Sequence, residues 1–289
     1  MDYVLGLLVL ICIYAIITAS LDLLVGYTLL LSFAPAAFVG IGAYAAALTA
    51  TKLGFGFVPA LLFAMAFTAA TAALLAIPLL RMRGEYFLLA TFGLSMVASS
   101  VLDNWVDLTN GPFGVRGIPR PALFGFVFDN TAKMLALCAG MLAICLYVKW
   151  RLVRAPFGIA LRAVREDETV AQAIGKDVWR IRLVVFAISA AFTAIGGTLL
   201  AYYLRFIDPS LFYFHVTITI WAALFIGGCG SIVGNVLGPA ILVLFPEMLR
   251  FVGLSGSNTA HLQQALYGAL LVLLAIFRPQ GLAGSYRFR

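Results

Sequence analysis

The sequence predicts an all-α polytopic membrane protein: a transmembrane helical bundle of about eight to ten helices, with short broken segments and one long cytoplasmic loop. Of the 289 residues, 63% are apolar. Only 11% are charged, which is less than half of the roughly 25% that soluble domains carry. Because so few polar residues are present to cover a surface in water, the composition excludes a soluble enzyme, a nucleic-acid-binding domain and a disordered protein. We expect a single integral-membrane domain over 1–289.

The uncharged stretches of the sequence set the expected helices, because a membrane span needs about 20 apolar residues. The stretch 209–246 is long enough for two segments, and its glycine-rich middle is the expected reversal point. In the first half, the run 32–35 with its proline predicts a break before a full helix. The predicted helices are 3–25, 36–51, 57–80, 86–103, 131–149, 182–204, 216–228, 236–250 and 262–277.

The basic residues indicate which face of the membrane each loop occupies. Segment 149–182 holds eight of the 19 basic residues. Cytoplasmic loops carry an excess of lysine and arginine, so we place this segment in the cytoplasm together with Arg81, Arg83 and the C-terminal arginines. The whole net charge of +7 then lies on the cytoplasmic face. This assignment predicts a cytoplasmic C-terminus and an external loop over 104–130.

Ionisable side chains are nearly absent from the predicted spans, which predicts a path without fixed intramembrane charge. The exceptions fall near predicted helix ends, and they are Asp22, Glu85, Asp103 and Glu247. The sequence has no phosphate-cradling Gly-x-x-x-x-Gly-Lys-Ser/Thr motif, since Gly175-Lys176 is followed by Asp177. We therefore expect no catalytic residue, no metal and no cofactor in this chain, and a nucleotide-driven motor would have to be another chain.

Glycines recur in the late part of the sequence. Gly230, Gly234 and Gly238 are four residues apart and would line one face of a helix. Such faces let helix backbones approach closely, so packing is the favoured interpretation. The cluster 227–231 is also typical of irregular backbone at membrane depth, which is tolerated where it lines a cavity. Together with the break at 32–35, it gives one interrupted segment in each half and points to a central pathway between two repeats.

The most polar part of the chain is the segment 154–175, in which apolar residues recur at helical spacing. Gly158 lies at its start, and Gly175 is its expected terminator. The segment forms either one charged helix or two short helices that meet near Asp167, which would then be an N-cap. The residues favour a solvated link and a helix that docks in a partner's groove equally. Its apolar stripe consists of Leu161, Val164, Ala171 and Ile174.

Five segments carry motifs in a fixed order between about 26 and 284. They are 26–44, 111–121, 156–175 (PFGxALRAxREDExxAxxxG), 227–238 (GGxGSxxGxxxG) and 277–282 (FRPQGL). Together they resemble the branched-chain amino-acid ABC permeases, and within that family the chain looks like the LivM-type subunit. The resemblance implies that 149–182, which we call the coupling loop, transmits force from an ATPase. The residues implied in coupling are Gly158, Leu161, Arg162, Ala163, Arg165, Glu166, Asp167, Ala171 and Gly175.

The same resemblance assigns the early and late motifs to the translocation path or to the packing of its helices. Two departures from the family pattern, at Ala34-Pro35 and at Asn235, lie on this path and leave open a cargo other than leucine, isoleucine or valine. The residues so assigned are Ser32, Phe33, Pro35, Gly40, Gly42, Tyr44, Gly227, Gly228, Gly230, Ser231, Gly234 and Gly238.

The resemblance implies a permease subunit of a bacterial inner-membrane importer for branched-chain or related amino acids. The implied partners are two ATP-binding subunits, a homologous second permease and a periplasmic substrate-binding protein, besides the lipid bilayer, and no nucleic acid. In this interpretation the apolar stripe enters a groove of the ATPase, while Arg162, Arg165 and Glu166 lie at its rim. The alternative is a stand-alone secondary transporter, coupled to an ion through backbone carbonyls at the two broken segments.

Overall fold

The computed structural model describes residues 2–82, 84–123, 126–251, 268 and 281–284 of the chain. In this part the architecture is all-α, and six helices are long and apolar enough to cross a membrane. The chain is thus a multi-pass helical membrane protein, as the composition predicts. Eight of the predicted helices fall within the described residues, and each of them is present. The ninth, 262–277, lies outside them apart from residue 268.

The helix ends agree with the predicted ends to within a few residues, because the charge-free runs stop where the spans stop. The main difference is that α6 continues past the predicted end at 149 to Arg154. In chain order the helices are α1 (Asp2–Thr28), α2 (Pro35–Lys52), α3 (Phe57–Leu79), α4 (Glu85–Asn104), α5 (Val106–Thr109), α6 (Thr131–Arg154), α7 (Pro156–Glu166), α8 (Glu168–Ala173), α9 (Val178–Leu204), α10 (Phe214–Gly227) and α11 (Gly234–Phe251).

The helix α9 lies at the centre of the bundle and packs on α1, α2 and α3. Its crossing with α2 depends on glycine, because a Cβ added at Gly42 would lie 2.5 Å from the Cα of Ala194. A Cβ at Gly197 would likewise collide with the Val39 carbonyl. Small residues at such a crossing let two backbones touch, which is how membrane helices gain contact without a hydrophobic driving force.

The two ends of the bundle differ. One end carries α7 and α8, and we call it the α7 end. The opposite end carries the expected external loop 104–130, which contains α5, a 3-10 turn (Gly111–Phe113) and three two-residue strands, β1 (Val115–Arg116), β2 (Ala122–Leu123) and β3 (Phe126–Val127). β1 pairs antiparallel with β4 (Phe206–Ile207), and β2 pairs with β3. The first of these pairs ties the loop to the chain that follows α9.

The helices α10 and α11 pack against each other and against α1. A second 3-10 turn, Pro209–Phe212, precedes α10. The described part of the C-terminal motif lies against the end of α10. There the backbone N–H of Leu282 donates to the Ile226 carbonyl at 2.9 Å, and that of Ala283 donates to the Gly227 carbonyl at 3.0 Å. Residues 281–284 therefore lie at the same end of α10 as the glycine-rich reversal.

Candidate coupling site and broken segments

The coupling loop is folded into two short helices, so the two-helix alternative is confirmed. Its non-spanning part starts at Ala155 because α6 occupies the first residues of the predicted loop. α7 and α8 meet at Asp167, whose carboxylate caps α8 by accepting from the backbone N–H groups of Thr169 and Val170. Hydrogen bonds from the Thr169 hydroxyl and from these two N–H groups hold the pKa of Asp167 below its ordinary value. Gly175 follows α8 with a φ of +80°, as expected of a helix terminator.

The apolar stripe of the loop mostly faces the chain's own helices, so the expectation that it enters an ATPase groove is wrong for three of its four members. Leu161 is fully buried in a cluster with Leu23 and Val185, and Val164 packs with Ala171. Only Ile174 is exposed, with 63% of its surface free. Helical spacing predicts that a stripe is buried, but it does not say whether the covering surface is the same chain or a partner.

The charged residues of the loop also differ from the prediction. Arg165 is buried, and its guanidinium donates to the backbone carbonyl of Gly26 at the end of α1, so it does not lie at a rim. Arg162 and Glu166 are both exposed, but the structure shows no ion pair between these two described residues. A Cβ added at Gly158 would collide with the backbone of Val153, which makes this glycine a requirement of the tight turn from α6 into α7.

The first break, 29–34, separates α1 from α2 as predicted, and Leu29 enters it with a φ of +52°. Neutral side chains hold its backbone. The Phe33 N–H donates to the Thr91 hydroxyl at 2.9 Å, and the Phe33 carbonyl accepts from the Ser95 hydroxyl at 2.5 Å. The Trp221 indole N–H donates to the Ser32 carbonyl at 3.0 Å. Pro35 then starts α2 at a position where no N–H donor is needed. Side chains of α4 and α10 thus satisfy the break.

The other early-motif residues pack helices together. A Cβ at Gly40 would lie 3.1 Å from both Leu102 of α4 and Phe212 of the second 3-10 turn. The buried ring of Tyr44 meets Phe212 edge to face, with 5.9 Å between ring centroids. Together with the contact of Gly42 with α9, these positions fit the packing half of the sequence-based assignment.

The second break, 228–233, separates α10 from α11, and both interpretations of the glycines apply to it in part. Gly228 and Gly230 have φ values of +94° and +77°, which makes them irregular backbone. Gly230 therefore does not share a helical face with Gly234 and Gly238, and that prediction is wrong for Gly230. Gly234 packs on Gly227, and Gly238 packs on the Ala223 carbonyl, with no room for a Cβ at either position. The Ser231 hydroxyl accepts from the Gly234 N–H at 3.2 Å.

A buried ion pair lies beside the second break, which corrects the expectation of a path without fixed intramembrane charge. The Lys149 ammonium lies 2.6 Å from the Asp22 carboxylate, and both side chains are completely buried. The same carboxylate accepts from the Gly230 N–H at 2.6 Å and from the Asn235 amide at 3.2 Å. The Tyr27 hydroxyl donates to the Gly230 carbonyl at 3.1 Å. Each charge is near the end of an apolar run, so the sequence suggests a surface position for both.

Two clefts connect the coupling loop to the two breaks. A cleft of about 420 Å³ is lined by Leu29, Leu30 and Leu31 of the first break and by Arg165, Glu166 and Asp167 of the loop. A cleft of about 390 Å³ is lined by Gly230 and Ser231 of the second break, by Lys149 and by Arg162 of the loop. Residues of the coupling loop therefore border both breaks. Among the described residues, no group of three histidine, cysteine, aspartate or glutamate side chains could hold a metal ion.

Comparison with known proteins identifies close relatives. Residues 3–275 match the family described as branched-chain amino acid transport system / permease component. The chain is 35% identical to the high-affinity branched-chain amino acid transport system permease protein LivM of Escherichia coli strain K12, over 93% of this chain and 67% of the relative. It is 34% identical to LivM of Salmonella typhimurium over the same shares, and 26% identical to LivH of Escherichia coli K12, over 94% of this chain and 91% of that relative. No solved structure matches the chain.

Proposed function

We propose that this chain, which belongs to the permease family of branched-chain amino acid transport systems, is the transmembrane permease subunit of an ATP-driven importer for branched-chain or related amino acids. The relatives are permease components and not enzymes, and they give no support to a stand-alone ion-coupled transporter. In this proposal the chain itself hydrolyses nothing, and force from nucleotide hydrolysis reaches it through the coupling loop.

A second permease completes the path. LivM and LivH of one organism both align with more than nine-tenths of this chain, which supports a pair of homologous permeases that form the path between them. The Asp22 and Lys149 charges beside the second break offset each other. That suits an apolar or zwitterionic amino acid that binds weakly in transit, with selectivity residing mainly in a periplasmic binding protein.

The observation that carries the coupling role is the division of α7 and α8 into two faces. The inner face lines the clefts that reach both breaks. The outer face exposes Ile159, Val170 and Ile174, of which 61%, 57% and 63% of the surface is free. Exposed apolar side chains of this kind suit a short helix that enters a groove on an ATP-binding subunit. We place this end in the cytoplasm, together with the C-terminus, since residues 281–284 lie at the same end of α10 as the second break.

The docking role is tested by placing charge on the outer face. The double substitution Ile159→Asp and Ile174→Asp is expected to lower co-purification of the ATP-binding subunits at least tenfold and to abolish ATP-dependent uptake of leucine into proteoliposomes, without loss of membrane insertion. The matched control is Phe126→Asp, an exposed apolar residue at the opposite end of the bundle, which is expected to keep the ATP-binding subunits bound. Normal co-purification of the double variant would contradict the proposal.

A further inference from the structure

We infer that Asp22 and Lys149 form a positioning pair that makes the second break move together with the coupling loop. The inference rests on the proposed function, because the movement it governs is the one that the ATP-binding subunits would drive. Neither residue lies in the five motifs on which the family resemblance rests. What indicates them is the set of contacts that converges on one buried carboxylate.

The Asp22 carboxylate connects α1 to three other parts of the protein. Lys149 brings in α6, the Gly230 N–H brings in the second break, and the Asn235 amide brings in the first turn of α11. All three contacts lie between 2.6 and 3.2 Å, and the side chains of Asp22 and Asn235 are both fully buried. One side chain therefore fixes where the break lies relative to two helices.

The break is held at its middle residue. Both backbone polar groups of Gly230 bond to side chains of α1, the N–H to Asp22 and the carbonyl to Tyr27. The approach is close, since a Cβ added at Gly26 would lie 3.0 Å from the Gly230 nitrogen. The conformation of Gly230, with a φ of +77°, is one that residues with a side chain rarely adopt. The position of the break thus follows the position of α1.

The coupling loop holds α1 at two points close to that contact. Lys149 lies on α6, which passes into α7 through the single residue Ala155. The turn is compact, because Gly158 packs directly on Val153, so a short and closely packed connection joins Lys149 to α7. From α7 itself, Arg165 donates to the Gly26 carbonyl. A shift of α7 is thereby transmitted to α1 and, through Asp22, to the break.

Stability does not explain the pair. Two buried charges lose their hydration, and apolar replacements of such pairs are commonly as stable or more stable. The pair does supply a directional link that apolar side chains lack. In addition, the Asn235 amide oxygen is buried without a hydrogen-bond partner among the described residues. A buried acceptor without a donor is costly, so the contacts around Asn235 are not arranged for stability alone.

The test separates folding from coupling with charge-neutral substitutions. Asp22→Asn and Lys149→Met each leave one buried charge unpaired, and each is expected to lower the yield of folded protein at least fivefold. The double variant Asp22→Asn/Lys149→Met removes both charges and keeps an oxygen that can accept from the Gly230 N–H. We expect it to recover the yield to within twofold of wild type. We also expect it to hydrolyse at least five times more ATP per leucine imported, in proteoliposomes with all partner subunits.

The matched control applies the same substitutions to an exposed pair at the other end of α6. Asp129 and Lys133 lie 2.7 Å apart in solvent, and Asp129→Asn/Lys133→Met is expected to leave yield and ATP consumption within twofold of wild type. If the double variant Asp22→Asn/Lys149→Met recovers normal ATP consumption per leucine along with its yield, the pair is only structural and the inference is overturned. Absence of ATP-dependent uptake by the wild-type assembly would instead overturn the proposed function.

A second measurement applies if the neutral double variant does not fold. Lys149→Arg keeps the ion pair but changes its length, so the fold should survive while the register of the break changes. Ser231 lines the cleft beside the pair, and Ser231→Cys reports the break through its rate of reaction with a soluble thiol reagent. We expect a rate difference of at least threefold between nucleotide-free and vanadate-trapped assemblies, and its loss on adding Lys149→Arg. An unchanged difference would overturn the inference.

Discussion

The two breaks solve the same physical problem in different ways. Each interrupts helices inside the bundle, where unpaired backbone N–H and carbonyl groups are costly. The first break is held by neutral hydroxyl and indole groups from α4 and α10, and the Phe33 ring packs edge to face against Phe214 and Trp221. The second break is rich in glycine, and the charged Asp22 carboxylate of α1 holds it by accepting a hydrogen bond from the Gly230 N–H.

This difference indicates different roles. The contacts of the first break come from helices that do not belong to the coupling loop, and an aromatic side chain anchors it. The contacts of the second break lead through Asp22 to Lys149 and thus to the helix that continues into α7. We therefore interpret the first break as a fixed element and the second as the element that follows the coupling loop.

The largest effect is expected where the second break is anchored by backbone packing. Gly238→Leu places a side chain against the Ala223 carbonyl. Overpacking costs about 1–3 kcal/mol and occasionally more, and a contact between two backbones leaves the least room to relax. We expect almost no folded protein, measured as the monodisperse fraction after detergent extraction. The same substitution at Gly140 of α6, where an added Cβ meets nothing within 4 Å, is expected to leave that fraction unchanged. If the two variants behave alike, the second break is not anchored by this crossing.

An intermediate effect is expected when one hydrogen bond is removed at each break, and the two variants can be compared directly. Trp221→Phe leaves the Ser32 carbonyl without its donor, which costs about 1–3 kcal/mol for a buried group. Tyr27→Phe removes the donor to Gly230, at a cost of about 1 kcal/mol. We expect Trp221→Phe to lower the thermal midpoint more, yet to leave ATP consumed per leucine imported unchanged. Tyr27→Phe is expected to raise that ratio. The reverse assignment of the two effects would reverse our interpretation of which break is fixed.

Much of the fold could be predicted because the membrane makes helix ends visible as ends of charge-free runs. The first break was predictable from Pro35 and the second from glycines such as Gly228, since both residue types mark departures from helical backbone. The N-cap at Asp167 was predictable as one of two alternatives, because local capping depends on neighbouring residues only.

The rest depends on contacts between distant parts of the chain. Asp22 and Lys149 are 127 residues apart, and each resembles an interfacial charge when its own helix is considered alone. A sequence pattern that could have identified this pair is one acid and one base, each at the edge of an otherwise uncharged run. The two helices that carry them must also end on the same side of the membrane. The orientation of Leu161 was wrong for a related reason, because periodicity does not identify the surface that covers a stripe.

The smallest effect is expected at the exposed surface of the coupling loop, and it shows whether the order of α8 matters to the second break at all. Because hydrogen bonds lower the pKa of Asp167 from its ordinary value of 3.8, its contribution to the order of α8 is complete above that value and is lost as the pH falls through the lowered pKa. We expect amide exchange at Thr169 and Val170 to be slow at neutral pH and to lose protection only below about pH 4. Asp167→Ala should remove the protection at every pH.

The rate at which Ser231→Cys reacts with a thiol reagent is expected to stay within twofold on adding Asp167→Ala, because α7 reaches the break through Arg165 and Lys149 and not through α8. A larger change would show that α8 also takes part in the contacts that connect α7 to the second break. The part of the protein that moves with the break would then include α8 as well as α7, α6 and α1.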